Sequence, residues 1–293
     1  MRKFVIVSDS CCEMDETLRK QYGIDYIPMY LAYEDKSLHA DIDWKELSYQ
    51  DLYNLLRNDV RIFTAQVTAF DYQERFEQYI KEGYDILSIS CSSALSASIK
   101  ASMVAREELL KTYPDAKIYC IDSLICGMGI GILCIYASKL RAQGKSIEET
   151  AQAVEDIKMN INQVATVDDL KYLKRAGRIS STTAIFGSLL NVKPIILSNV
   201  KGENVSGEKV KGRIKSLRRL AEMIKKLYTG DQVEEIFISH GDSLENAEKL
   251  RDLVLELMPD AKINIAVLNP IMGASSGPEC ISAYFVGQPK PNI

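Results

Sequence analysis

Short apolar runs bounded by turn residues recur along the first half of the chain, at 3–7, 26–33, 85–90 and 117–121. Between them, at 13–22, 48–58, 71–82 and 96–112, apolar residues fall three and four apart. The first pattern predicts buried strands and the second predicts amphipathic helices, so the order is strand, helix, strand, helix. Such alternation yields a mainly parallel sheet with helices on both faces. The polar turn Glu34-Asp35-Lys36 followed by an apolar run at 38–40 adds a small hairpin to 26–33. Helical segments at 129–143 and 146–160 close this half.

Polar residues interrupt the pattern near 160–162, where a domain boundary is expected. A second unit follows, with strands at 164–167, 193–198, 235–239, 263–267 and 280–285. Its helices lie at 168–175, 213–228 and 243–258, and a turn falls at Lys201-Gly202-Glu203-Asn204. The expected organisation is an α/β fold of two α/β domains, 1–160 and 161–287. Residues 288–293 form a tail expected to be flexible, because it carries no periodic apolar positions.

Composition narrows the class. A chain of 293 residues, 46% hydrophobic and 26% charged, has enough apolar material for a sizeable core. The net charge of −4 and the dispersal of Lys and Arg argue against a nucleic-acid footprint. No run of eighteen apolar residues is present, and Met1-Arg2-Lys3 leads straight into a strand instead of a signal h-region. A cytoplasmic protein without a membrane span is expected. The seven Cys form no CxxC pair and sit mostly in apolar segments, as reduced core thiols do, and Cys11-Cys12 has neither a basic neighbour nor a spaced partner. With only His39 and His240, no His-rich metal site can form, and no metal or cofactor is expected.

The chemistry of the chain concentrates at Ser90-Cys91-Ser92-Ser93-Ala94-Leu95-Ser96-Ala97-Ser98, where a buried strand runs into hydroxyl residues ahead of a helix. Free N–H groups of a helix start and Ser hydroxyls together suit an anion, while one Ser at such a turn would be an ordinary N-cap. Gly127-Met128-Gly129-Ile130-Gly131 lacks the GxGxxG spacing and a following acidic residue, so close helix packing explains its glycines. Gly273-Ala274-Ser275-Ser276-Gly277 matches the GxSxG elbow. Asn269-Pro270 separates it from its strand, and no His follows it. Only His240 and Asp242 upstream remain as hydrolase partners, and Ser239-His240-Gly241-Asp242-Ser243 reads more simply as a strand end with a helix cap at Ser243 or Asp242. From the residues alone, a binding protein for an anionic ligand and an enzyme acting on an acyl or phosphorylated substrate both fit the Ser-rich turn.

Taken in order, Val7-Ser8-Asp9-Ser10, Thr64-Ala65-Gln66, the 92–98 run, Ile121-Asp122-Ser123, the segment from Val167-Asp168-Asp169 to Gly177-Arg178-Ile179-Ser180, and Asn269-Pro270-Ile271-Met272-Gly273-Ala274-Ser275-Ser276-Gly277-Pro278 resemble the DegV family of bacterial fatty-acid-binding proteins. The resemblance implies a non-enzymatic carrier that holds a long-chain fatty acid such as palmitate between its two domains. It implies carboxylate binding by Thr64 and Ser96, with Ser93, Ser98, Arg178, Gly273 and Ser275 supporting or nearby. It also implies a partner fatty-acid kinase that takes the presented carboxylate to an acyl phosphate. This chain departs from the family pattern at Ser275, where a His is usual, and at Ala97-Ser98, where Gly-Thr is usual. The apolar segment 184–190 is a further expected lining of the acyl slot.

Overall fold

The computed structural model describes residues 2–179 and 191–293. In chain order its strands are β1 (Phe4–Asp9), β2 (Ile24–Ile27), β3 (Met29–Tyr33), β4 (Lys36–Ala40), β5 (Phe63–Ala65), β6 (Asp85–Ser90), β7 (Ile118–Asp122), β8 (Ile161–Thr166), β9 (Val192–Ser198), β10 (Asn204–Lys211), β11 (Ile236–His240), β12 (Ile263–Val267) and β13 (Ile281–Val286). The helices are α1 (Glu16–Tyr22), α2 (Tyr49–Arg57), α3 (Ala69–Lys81), α4 (Ser98–Thr112), α5 (Met128–Ala142), α6 (Ile147–Ile157), α7 (Lys171–Ala176), α8 (Arg213–Leu227), α9 (Leu244–Leu257) and α10 (Pro270–Ser276).

Strand β6 is buried at every position, as its unbroken apolar and Ser sequence requires, and it pairs in parallel with β1 and β7. With β2 the order is β2-β1-β6-β7, all parallel, as expected from the alternation of strands and helices. The run 26–33 does not stay in that sheet. Pro28 has no amide hydrogen to give a ladder, so β2 ends at Ile27 and β3 leaves to form a separate antiparallel sheet, β4-β3-β5. Its third strand, β5, is only three residues long and brings Thr64 opposite Leu31.

From Ile161 onward all the strands among the described residues join a six-stranded sheet, ordered β10-β9-β8-β13-β11-β12, antiparallel except for β11 against β12. The turn at 201–204 is followed by β10, which the sequence reading lacked. Polar residues and a register shift between Ser206 and Lys209 hide its strand pattern. Helix α5 lies between the two sheets. Ile130, Ile132, Leu133 and Ile135 are all almost fully buried, because the helix contacts β1 and β6 on one side and β8 and β13 on the other. A helix that is apolar all round has no solvent face to offer. On its far face the six-stranded sheet is covered by α8 and α9 through Leu217, Leu220, Ile224, Leu250 and Val254.

The entry to α5 is tightly specified. Gly127 has φ 59°, and a Cβ there would come within 2.2 Å of the Tyr284 hydroxyl. Gly127→Ala is expected to lower stability by about 1–3 kcal/mol, read as a lower denaturation midpoint, because positive φ and the overlap both penalise the methyl group.

Residues 288–293, expected to be flexible, are tied down instead. The Lys290 amide donates to Met159 O at 2.8 Å and its ammonium to Leu124 O at 2.7 Å, while Gln288 N donates to Leu227 O at 2.8 Å. Lys290 is 4% exposed, and burial pushes its amine down to about 7. Backbone partners on both halves hold this tail, and such partners leave no trace in hydropathy. Among the described residues no helix is long and apolar enough to cross a membrane.

Candidate functional site

In a parallel sheet the ends of adjacent strands open a crevice at their carboxyl side. Here β1 and β6 end together at Asp9 and Ser90. The Asp9 carboxylate accepts the Cys11 amide at 3.0 Å and the Cys91 amide at 2.9 Å, fixing the two turns that leave these strands. Burial pushes Asp9 up to about 6, against the lowering effect of those two N–H groups. Cys11 and Cys91 thereby become neighbouring walls of a cavity of about 510 Å³.

The Ser-rich turn is built differently from the expected helix-start anion site. Helix α4 begins at Ser98 and its N-cap is Ala97, which has no capping side chain. The amides from Ser93 to Ser96 are already used, Ser93 N by Asp122 Oδ1 at 3.1 Å, Ala94 N by Ser92 Oγ at 3.2 Å, and Leu95 N and Ser96 N by Ser92 O at 2.9 Å. Hydroxyl groups are what the turn offers. Val67 N donates to Ser98 Oγ at 3.4 Å, Ser98 Oγ lies 3.0 Å from Ser96 Oγ, and Ser98 N donates to Ser96 Oγ at 3.2 Å. With Ser98 donating to Ser96, the Ser96 hydrogen is left to donate into the cavity, polarised by the chain behind it.

Thr64, Ser93, Ser96, Arg178 and Ser275 all line the cavity. Ser98 is fully buried and stands behind Ser96. Gly273 lies on the other side of α10, where a Cβ would meet the Tyr53 hydroxyl at 2.8 Å, so its part is to let α10 approach α2. Arg178 follows α7 and reaches across, its Nε donating to Leu95 O at 2.9 Å and so strapping the Ser turn. Thr64, Arg178 and Ser275 also border an adjoining recess of about 140 Å³. The rest of the wall is softer than the sequence suggested. Cys11, Cys91 and Cys126, read as core thiols, face the cavity together with Met29, Ile271 and Met272. Cys11 Sγ lies 3.7 Å from Met272 Sδ. Hydropathy treats core and cavity thiols alike, so only their position after strand ends hinted at this role. Segment 184–190 and Ser180 lie outside the described residues.

The elbow reading of Ser275 fails on geometry. Its residues form α10, with Asn269 as N-cap and Pro270 opening the first turn, so Ser275 sits within a helix instead of on a strand-to-helix turn. His240 is buried, burial lowers its pKa, and its Nδ1 accepts the Ser243 amide at 3.2 Å. Ser243 does stand at the N-cap of α9 but caps it with no side-chain bond, its hydroxyl being given to Glu279.

This arrangement has close relatives. A model of the DegV family, described as uncharacterised, matches residues 3–288. A DegV domain-containing protein of Clostridium perfringens is 38% identical over 290 residues, covering 99% of each chain. Among solved structures, the fatty acid binding protein DegV of Bacillus subtilis superposes with a TM-score of 0.84 at 23% identity, covering 98% of this chain and 100% of that one. A DegV family protein of Eubacterium eligens, solved loaded with heptadecanoic acid, matches with a TM-score of 0.84 at 20% identity over 97% of this chain and 100% of that one. The family match over nearly the whole length and the 38% identity to a DegV domain-containing relative establish that this chain belongs to the DegV family.

Proposed function

We propose that this chain binds a long-chain fatty acid, such as palmitate, in the cavity between the domains 1–160 and 161–287 and serves as a carrier in cytoplasmic lipid metabolism. The carboxylate accepts hydrogen bonds from Thr64 and Ser96, Arg178 adds positive charge beside them, and the tail lies against Cys11, Met29, Cys91, Cys126, Ile271 and Met272. The observation that carries this reading is the hydrogen-bonded hydroxyl pair of Ser98, backed by Val67 N, and Ser96, which borders a cavity whose remaining wall is mostly sulfur and hydrocarbon. A volume of about 510 Å³ falls within the range of about 300–1,000 Å³ usual for small-molecule sites. Because the amides from Ser93 to Ser96 are bonded within the protein, hydroxyl donors suited to a carboxylate are favoured over an amide cradle suited to a phosphorylated substrate. Titration with a fluorescent fatty acid, displaced by palmitate, tests the reading, and failure to bind or to be displaced overturns it.

Presentation of the carboxylate to a fatty-acid kinase belongs to the same proposal. Ser275 borders both the cavity and the recess beside Thr64 and Arg178, so an imidazole there would stand next to the head group. Ser275→His is expected to tighten binding at pH 6 relative to pH 8 by about threefold beyond the parent's own trend, since a protonated His donates to and offsets the anion. Phosphotransfer by a kinase of a DegV-family partner should rise in the same variant. If neither the pH profile nor the transfer rate moves, Ser275 does not stand at the carboxylate.

A further inference from the structure

Two of the thiols that face the cavity also face each other. Cys11 sits in the 3-10 turn Ser10–Cys12 that leaves β1, and Cys91 is the first residue after β6. One carboxylate joins the two turns, Asp9 Oδ1 taking the Cys11 amide and Asp9 Oδ2 the Cys91 amide. Strands β1 and β6 are paired up to Ser8 and Ile89. The spacing of paired strands, about 4.8 Å, falls inside the separation of about 4.4–6.8 Å between Cα atoms that a disulfide spans. The two thiols are within hydrogen-bonding reach of each other. Cys11 is 2% exposed and Cys91 3%, so a small oxidant reaches them through the cavity that they line. The third cavity thiol, Cys126, donates to Gln163 Oε1 at 3.3 Å instead.

We propose that Cys11 and Cys91 are an oxidisable pair, which hydrogen peroxide entering the empty cavity converts to a disulfide and which a bound acyl chain shields. The inference rests on the fatty-acid reading above, since a tail laid against Cys11 and Cys91 fills the route by which the peroxide reaches them. An empty carrier is thereby marked, and a loaded one is spared.

The hydrogen bond to Cys11 and burial hold the Cys91 thiol well above the usual thiol range, so Cys91 keeps its proton and Cys11 is the attacking sulfur. The Cys11 sulfur attacks one peroxide oxygen, the O–O bond breaks, and the departing hydroxide takes the Cys11 proton as water, leaving a sulfenic acid. The Cys91 sulfur then attacks the Cys11 sulfur. An S–S bond forms, the S–O bond breaks, and the second hydroxide leaves with the Cys91 proton as water. Two thiols lose two electrons, and one peroxide is reduced to two waters. The second step is intramolecular between neighbouring groups, which favours it over further oxidation of the sulfenic acid. A dithiol reductant restores the pair by exchange.

The test treats reduced, delipidated protein with hydrogen peroxide, with and without palmitate, then maps alkylated peptides by mass spectrometry without reduction. Ligand-free protein is expected to give the Cys11 and Cys91 peptides linked to each other and released by dithiothreitol. Palmitate at about ten times its Kd leaves about a tenth of the cavities empty, so linkage should slow about tenfold. Cys120, partly exposed on β7 and outside the cavity wall, is the internal reference, and its oxidation should not respond to palmitate. In Cys91→Ser the Cys11 sulfenic acid should persist and be trapped by dimedone. Absence of the Cys11–Cys91 linkage from ligand-free protein, or an equal rate of linkage in protein shown by titration to hold palmitate, overturns the proposal. Disulfide formation without any palmitate binding would instead overturn the fatty-acid reading on which the shielding rests.

Discussion

Lengthening a saturated fatty acid from ten to sixteen carbons should tighten its binding on the order of a thousandfold, with each methylene contributing about 0.8 kcal/mol, or three- to fourfold in Kd. The cavity wall explains why. Cys11, Cys91, Cys126, Met29, Ile271 and Met272 present almost no hydrogen-bonding capacity to a tail, so affinity there comes from apolar area removed from water. Burial of about fourteen methylenes gives a gross gain on the order of 11 kcal/mol, from which the ordering of the chain and the loss of its freedom are subtracted. The gain should stop when the slot is full. Affinities measured across the series by displacement of a fluorescent probe check this, and a flat response would mean that the tail stays in water.

Replacing both hydroxyl donors, Thr64→Val with Ser96→Ala, should weaken binding by about a hundredfold or more, since hydrogen bonds to a charged group contribute about 1.5–3 kcal/mol each. The fold should survive. Thr64 is partly exposed on an edge strand, and although Ser96→Ala takes the Oγ acceptor from the Ser98 amide, the turn keeps the Leu95 and Ser96 amide bonds to Ser92 O. Ser98, buried and bonded to Val67 N, is the riskier change, because its loss strands a buried donor. Unchanged affinity in the double variant, with an unchanged denaturation midpoint, would remove Thr64 and Ser96 from the head-group site.

Much of the first sheet was legible because burial on both faces leaves an unbroken apolar run, as in 85–90, and burial on one side leaves a helical period, as in 71–82. Legibility ended where a short element depends on its neighbours. Three residues, Phe63–Ala65, carry too little pattern to announce a strand, and α10 opens with Pro270 and contains Gly273, which together look like a loop. The two antiparallel neighbours of β13, β8 and β11, lie far away in sequence, so its central place in the six-stranded sheet could not be read locally. The hydroxyl side of the site was visible as composition, five Ser in nine positions from Ser90 to Ser98. Its mechanism was not, because whether those Ser cap a helix or relay a hydrogen bond depends on Val67, which arrives from another loop. Thiols facing a cavity and thiols packed in a core have the same hydropathy, so the thiol side of the cavity was invisible until the chain was folded.

The central claim is that a long-chain fatty acid occupies this cavity, and the most direct measurement is organic extraction and mass analysis of the purified protein beside an unrelated protein prepared in the same way. The account predicts a long-chain fatty acid approaching one molecule per chain in the wild type and strongly reduced in the Thr64→Val, Ser96→Ala variant. No fatty acid above the level of the unrelated protein, even after incubation with palmitate, would contradict it.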